Sequence, residues 1–218
     1  MHASIASFRS DEDLIREAIR QYAIGLTSCL ETYYRDLYVA LLETDAQFLQ
    51  RLFSGDKWGA RLVRIRATEP GDISDAELAG ELIKFQNLFG IDQALSEILQ
   101  PKGYIEALSS SEFMCMIPSK RSDIASIKLW PDWQIQFSSI FDHRHEFVHD
   151  ANKVCGVTPA QMAGIEATAL LVPQLTTFLV AQELGARGAL LAMNGALPTV
   201  LIVEDLISND WEIVREST

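Results

Sequence analysis

A long run of helical periodicity near the start of the chain sets the first limit on the fold. Apolar residues recur there at spacings of three and four, which is the period of an amphipathic α-helix. The pattern predicts one helix from about Asp13 to about Glu43, and its apolar face needs other elements to cover it. The repeating positions are Leu14, Ala18, Tyr22, Leu26, Leu30, Tyr33, Leu37 and Leu41.

Start signals for three further helices follow along the chain. Residues 74–89 begin with a Ser-x-x-Glu capping box, which predicts a helix that ends at Gly90. Residues 131–152 begin with a proline that suits the first turn of a helix. A Thr-Pro pair begins a long apolar segment at residue 158, and Pro173 within that segment predicts a kink. Shorter helical pieces are predicted at residues 44–53, 57–66 and 91–100.

The remaining segments carry weaker patterns. Residues 101–129 contain two prolines, a glycine and a run of three serines, which predicts irregular structure. Residues 200–203 and 211–214 fit either two short strands or a last helix. Because strand-like alternation is almost absent elsewhere, the sequence predicts an all-α helical bundle. We expect residues 1–218 to form one domain, with a core at about 12–185 and a short β or helical appendage at about 186–218.

The composition limits the classes of function. The chain has 218 residues, 48% of them hydrophobic, which is enough for a sizeable core. Its net charge of -12 excludes nucleic-acid binding through the overall field, so any RNA site needs a local basic patch. The three cysteines, Cys29, Cys115 and Cys155, are widely spaced and odd in number. They predict a reduced, cytoplasmic protein without a disulfide framework or thiolate zinc site.

Two uncharged runs, residues 167–182 and 188–203, raise the question of a membrane span. Each is shorter than the roughly 20 apolar residues that a spanning helix needs, and polar residues interrupt both. We interpret both as buried core helices. The first fourteen residues, MHASIASFRSDEDL, contain no apolar stretch typical of a signal peptide.

Three of the four histidines lie within seven residues, in the sequence FDHRHEFVHD. They are His143, His145 and His149, on the helix predicted to begin at Pro131. The simplest interpretation is a solvated helix face, with Phe141, Phe147 and Val148 on the core side. Histidines with charged neighbours also mark functional sites, and two chemistries fit this stretch.

The first chemistry is that of a zinc hydrolase. His145-Glu-x-x-His149 places two imidazoles one helical turn apart, with Glu146 available to activate a metal-bound water. A third ligand is required, and Glu166 is the candidate that the sequence offers. The charged residues on either side of the motif disfavour this alternative, because zinc proteases of this type bury the motif helix.

The second chemistry is metal-independent cleavage of RNA, in which the 2′-hydroxyl attacks the adjacent phosphate. Histidine serves as the base or the acid near neutral pH, and arginine binds phosphate. Arg144 and His149 fit these roles, with His145 in support. At the α-helical pitch, Arg144 and His149 lie about 140° apart around the helix. The long arginine side chain or a second protomer would be needed to bring them together.

The stretch Arg144-His145-Glu-Phe-Val-His149 resembles the signature of HEPN domains, in which an arginine and a polar residue precede an aliphatic residue and a histidine. Val148 matches the aliphatic position. The segment LETYYRDLY at residues 30–38 resembles the first long helix of the RiboL-PSP-HEPN group, with Glu31 at its acidic position. The segment ELIKFQNLFGID at residues 81–92 is similar to a middle helix of that group.

The resemblance implies a helical bundle that forms a homodimer and cuts RNA without metal or other cofactor, as a toxin or defence ribonuclease. Arg144 and His149 would be catalytic across the dimer cleft, His145 would assist, and Glu31 would support them. Some members of the family have no activity and bind a partner protein. An antitoxin or a nucleotidyltransferase would be such a partner for a silent module here.

A local basic segment offers a place for RNA to bind. Residues 51–66 carry five basic residues and one acid, and three of the cations share one helical stripe. These are Lys57, Arg61 and Arg64, with Trp58 beside them to stack on a base. The simplest interpretation of such a charge run is a solvated helix face. The functional alternative is a track for phosphates that leads to Arg144 and His149.

Overall fold

The computed structural model describes residues 11–54, 59–68, 73–99, 102–116, 124–150, 155–184, 189–194 and 197–202. The helices of this part are α1 (Asp11–Thr44), α2 (Ala46–Ser54), α3 (Gly59–Thr68), α4 (Asp75–Leu82), α5 (Leu88–Ser96), α6 (Tyr104–Ser110), α7 (Trp133–His149) and α8 (Pro159–Glu183). Its strands are β1 (Phe113–Met116), β2 (Ile124–Ile127), β3 (Ala189–Asn194) and β4 (Leu197–Ile202). The predominantly helical fold predicted from the sequence is confirmed.

The chain divides into two compact units. The helical unit comprises Met1–Tyr104 and Asp132–Ala169, and the sheet unit comprises Ile105–Pro131 and Leu170–Thr218. The first part of α8 therefore belongs to the helical unit and its second part to the sheet unit. The motif FDHRHEFVHD lies wholly in the helical unit, at the end of α7.

The core of the helical unit forms where α1 and α7 pack against each other. Phe137 of α7 is fully buried, and its ring meets those of Tyr34, Trp133 and Phe141 at centroid distances of 6.1, 6.3 and 5.6 Å. The Tyr34 and Tyr104 hydroxyls are hydrogen-bonded at 3.0 Å, so burying these two phenols leaves neither oxygen unsatisfied. Aromatic rings in edge-to-face contact add packing energy beyond the area that they bury.

The segment predicted as one helix from Ser74 to Phe89 is two elements. The capping box is present, since the Ser74 hydroxyl accepts from the Glu77 amide and the Glu77 carboxylate accepts from the Ser74 amide. The helix ends at Leu82, however, and α5 begins only after Asn87. The Asn87 side chain caps α5 by accepting from the amide of Gly90 at 2.7 Å. Gly90 thus lies in the first turn of a helix, where the prediction had placed a helix end.

The prediction of irregular structure for residues 101–129 is wrong, because that segment contains α6, β1 and β2. The sheet has the strand order β2-β1-β3-β4, with β1 antiparallel to β2, parallel to β3, and β3 antiparallel to β4. Strands of four residues, such as FMCM and IASI, are too short for alternation to stand out from the sequence. The Phe113 ring packs at 6.1 Å from that of Phe178 within this unit.

The C-terminal predictions have mixed outcomes. The prediction of a buried core helix for residues 188–203 is wrong, since β3 and β4 form a hairpin there. Strand β4 includes most of residues 200–203, for which a strand was one of the two alternatives. Residues 211–214 lie outside the described part of the chain.

The prediction that residues 167–182 belong to a core helix agrees with α8, which begins at Pro159 after the predicted threonine. Within the described residues, α8 is the one helix long and apolar enough to cross a membrane. Half of its most apolar window is nevertheless buried inside the protein, as in a core helix.

We predict that Phe137→Ala lowers the free energy of unfolding by about 3–5 kcal/mol. The substitution leaves a cavity, and the surrounding aromatic side chains relax only partly to fill it. Urea denaturation followed by circular dichroism measures this change. Ile135→Ala on the same helix is the matched control, since Ile135 is 73% exposed. That control should stay within about 0.5 kcal/mol of the wild type. Equal losses in the two variants would contradict the described packing of α7.

Candidate functional site

Arg144 and Glu31, two residues that the sequence assigned to one site, meet in the structure. The Arg144 Nη1 atom of α7 lies 3.1 Å from the Glu31 Oε1 atom of α1. The Arg144 side chain is 31% exposed and that of Glu31 is 22% exposed. Side chains on a helix lean toward its N-terminus. In two antiparallel helices, the side chains therefore lean in opposite directions, and residues whose Cα atoms are offset by about one turn can meet.

This ion pair leaves hydrogen-bonding capacity unused. Arg144 Nε and Glu31 Oε1 are both buried and neither forms a hydrogen bond in the described part of the protein. A buried polar atom without a partner costs free energy, so each one in a folded protein needs an explanation. The guanidinium group is therefore held by its ion pair with Glu31, while its buried Nε–H has no partner in the described part of the protein.

His149 and His145 form a second cluster on the last two turns of α7. Both side chains are exposed, and the centroids of their rings lie 4.4 Å apart with 58° between the ring planes. Spacing by four residues places the two imidazoles on one face of the helix. Each ring can donate or accept a proton, so the pair sets a possible acid beside a possible base at the protein surface.

The structure does not bring Arg144 and His149 together within one chain. Arg144 points toward α1, whereas His149 lies on the exposed side of α7, in agreement with the angle of about 140° expected from the helical pitch. Phe141 and Phe147 are buried as predicted, but Val148 is 53% exposed and its predicted place on the core side is wrong. The side chain that points toward α1 is instead that of Arg144, which lies against Glu31.

His143, the third histidine of the cluster, faces a different surface. Its ring stacks on that of Phe147, at a centroid distance of 5.9 Å and an interplanar angle of 13°. His143 and Glu146 line a groove of about 630 Å³ between α7 and the first part of α8. Glu146 is therefore turned toward this groove, which neither His145 nor His149 lines.

The third ligand that the zinc alternative requires is engaged elsewhere. The Glu166 carboxylate of α8 accepts a hydrogen bond of 2.5 Å from the Tyr22 hydroxyl of α1. This hydrogen bond, with partial burial and the charge of Glu166, raises the pKa of Tyr22 to about 12. Across the described residues, no three histidine, cysteine, aspartate or glutamate side chains are placed to hold one metal ion. The zinc alternative thus gains no third ligand from this part of the structure.

The predicted RNA-binding stripe is partly visible. Arg61 and Arg64 are exposed on α3 and form no ion pair with a described residue. Lys57 lies outside the described residues. Arg66, a further cation of the same segment, is engaged with Asp75 at 2.9 Å and with the Ile73 carbonyl at 2.6 Å.

One residue near the motif was missed by the sequence interpretation. Arg20 of α1 donates a hydrogen bond of 2.6 Å to the Phe147 carbonyl, and its guanidinium lies 6.0 Å from the centre of the Phe147 ring. Arg20 thereby fixes the last turn of α7, which carries His145 and His149. No sequence pattern marks it, because its partner is a backbone carbonyl 127 residues away.

Comparison of the chain with protein-family models, with curated proteins and with solved structures found no match. The geometry of the helical unit therefore carries the functional argument.

We predict that the Glu31 and Arg144 side chains are coupled by about 1 kcal/mol of unfolding free energy, the magnitude expected for a partly buried ion pair. Unfolding free energies of Glu31→Gln, Arg144→Gln and the double variant give this coupling as a double-mutant cycle. Arg35 and Glu81, an exposed pair at 3.9 Å, provide a control cycle that should give a smaller value. Additive effects at Glu31 and Arg144 would show that the two charges do not interact.

We predict that Glu166→Gln lowers the pKa of Tyr22 from about 12 toward the ordinary tyrosine value of about 10. Ultraviolet absorbance of the phenolate during an alkaline titration measures this, and Tyr22→Phe identifies the titration of that tyrosine. Because the folded-state pKa is raised, the associated stability is full below about pH 10 and is lost as the pH rises through about 12. An unchanged titration in Glu166→Gln would rule out the hydrogen bond in solution.

Proposed function

We propose that the chain is a metal-independent endoribonuclease of the HEPN type, acting as a homodimer in the cytoplasm as a toxin or defence enzyme. The observation that carries this proposal is the state of Arg144. Its guanidinium is half-buried, held by Glu31 without a hydrogen bond, and five residues before an exposed histidine at the end of the same helix. A guanidinium that is held in place and partly exposed suits the binding of a phosphate group.

The proposed reaction uses only groups that α7 supplies. His149 takes the proton of a ribose 2′-hydroxyl, and the oxygen attacks the adjacent phosphorus. Arg144 stabilises the negative charge that accumulates on the phosphate oxygens. A second imidazole, that of His145 or of the other protomer, gives a proton to the departing 5′-oxygen. The products are a 2′,3′-cyclic phosphate and a 5′-hydroxyl.

A second copy of the chain would complete the site. In one chain Arg144 and His149 diverge around α7, so one phosphate does not meet both side chains without a large movement of the arginine. The exposed side of the same helix end carries Val148, His145 and His149. Two helix ends facing each other across a two-fold axis would place each arginine near the histidine pair of the partner.

We predict that the purified protein cuts a mixed RNA pool in the presence of EDTA, and that His149→Ala lowers this activity by at least about a hundredfold, as removal of a general acid or base does. Gel electrophoresis of the RNA measures it. His143→Ala is the matched control, because His143 lies on the same helix but faces the α7–α8 groove. Cleavage that requires added zinc, or that is lost equally in both variants, would contradict the proposal.

The same assay tests the composite site. Mixing Arg144→Ala with His149→Ala allows mixed dimers in which one site holds an intact arginine and an intact histidine from different chains. Statistical exchange should restore about a quarter of the wild-type activity if each site is shared between protomers. If each site belonged to one chain, no activity would return.

One observation favours a second candidate, a silent HEPN-like module that binds a protein partner such as an antitoxin or a nucleotidyltransferase. The charge of Arg144 is already offset by Glu31, and Arg144 points away from His149. In such a module the exposed end of α7 would serve as a binding surface. Absence of cleavage by the wild type, with a partner co-purifying with the wild type and lost in His149→Ala, would favour this candidate.

A further inference from the structure

A second, smaller groove in the helical unit has the chemistry of a polyanion site. It has a volume of about 230 Å³ and lies between α3 and the junction of α4 with α5. Arg61 stands on one side, Lys84 at the junction, and Phe89 and Gln93 on α5. None of the described residues that line it carries a carboxylate.

The two cations of this groove are available to a ligand. Arg61 and Lys84 are both exposed, and neither forms an ion pair or hydrogen bond through its side chain with a described residue. The availability of Arg61 contrasts with the engagement of Arg66 on the same helix by Asp75. In a chain with a net charge of -12, two cations in one groove that pair with no described carboxylate form a local field that attracts anions.

An aromatic ring stands beside these cations. Phe89 is 73% exposed, although a phenylalanine is normally buried. The junction that carries it is closely packed, because a Cβ atom at Gly90 would collide with the Lys84 carbonyl oxygen. The backbones that carry Lys84 and Phe89 are therefore held near each other. Gln93, one turn after Phe89, has an amide with no hydrogen bond to a described residue.

We propose that this groove binds single-stranded nucleic acid, with phosphates on Arg61 and Lys84 and one base stacked on Phe89. An exposed aromatic ring beside cations that pair with no described residue is the combination that single strands require, since their bases are free to stack. The Gln93 amide is placed to bond a base edge. The identification of the strand as RNA rests on the proposed function, whereas binding at this groove does not depend on cleavage at Arg144 and His149.

The test measures binding of a short, fluorescently labelled single-stranded RNA to the full chain carrying His149→Ala, so that cleavage does not interfere. Fluorescence anisotropy over a range of salt concentrations gives the affinity and its salt dependence. Phe89→Ala should weaken binding about tenfold, as loss of one stacked base does. Arg61→Gln and Lys84→Gln should each reduce the slope of log affinity against log salt by about 0.7, the value for one phosphate contact of a single strand.

Two matched controls separate the groove from general effects. Ile135→Ala removes an apolar side chain with the same exposed fraction as Phe89, and Lys128→Gln removes an exposed cation outside the groove. Both should leave the affinity unchanged. Duplex RNA should bind with little dependence on Phe89, because its bases are already stacked.

The outcomes distinguish this inference from the proposed function. Cleavage of RNA by the wild type, with binding that is insensitive to Phe89, Arg61 and Lys84, would overturn the groove and leave the ribonuclease standing. Binding that depends on these three residues, without cleavage by the wild type, would support the groove and remove the ribonuclease. Absence of single-stranded RNA binding would overturn the proposed groove. A protein partner found to cover Phe89 would not change that conclusion.

Discussion

The antiparallel packing of α1 on α7 is the interaction on which the helical unit depends. The buried Thr27 hydroxyl of α1 lies 3.2 Å from the Ile140 carbonyl of α7. The Tyr34 ring of α1 packs on the ring of Phe137, which lies ten residues before Phe147 on α7. Arg20 holds the far end of the same contact through the Phe147 carbonyl. With α7 fixed at both ends, its rotation about its own axis is fixed too, and each motif side chain has one direction to point.

That rotation sorts the motif into three surfaces. Arg144 is turned to α1 and Glu31, His145 and His149 to the outside, and His143 with Glu146 to the α7–α8 groove. The sequence places these residues within seven positions, and a helix necessarily spreads them around its circumference. Closeness along the chain is therefore poor evidence for a shared site on a helix. A chemistry that joins Arg144 to His149 needs either a large movement of the arginine side chain or a second helix end, so a test of activity is also a test of oligomeric state.

The sequence predicted those features that a helical period of 3.6 residues, or a local helix-start signal, encodes. The long first helix, the capping box at Ser74 and the start of α8 at Pro159 are all present. Strands β1 to β3 were missed because pairing between β1 and β3 joins residues 76 positions apart, and such short strands gain their stability from partners rather than from local propensity. The break before α5 was missed because asparagine is common both in loops and at helix starts, so Asn87 alone does not mark the start of a helix. Of the site, the supporting role of Glu31 came from a resemblance and not from any period, and its ion pair with Arg144 was not predicted.

Electrostatics in this acidic chain depend on which cations are already neutralised. Arg16, Arg35 and Arg66 each lie against a carboxylate, so they add little to the field beyond their own helices. Arg61 and Lys84 are not offset by any described carboxylate, and none lies among the described residues of their groove, so a modest local charge there opposes a net charge of -12. Arg144 is intermediate, because its charge is offset while its Nε donor remains unused. An anion that binds Arg144 must compete with Glu31, whereas one that binds Arg61 and Lys84 displaces no described carboxylate. Under the two proposals, a strand is therefore expected to bind the groove more readily than Arg144.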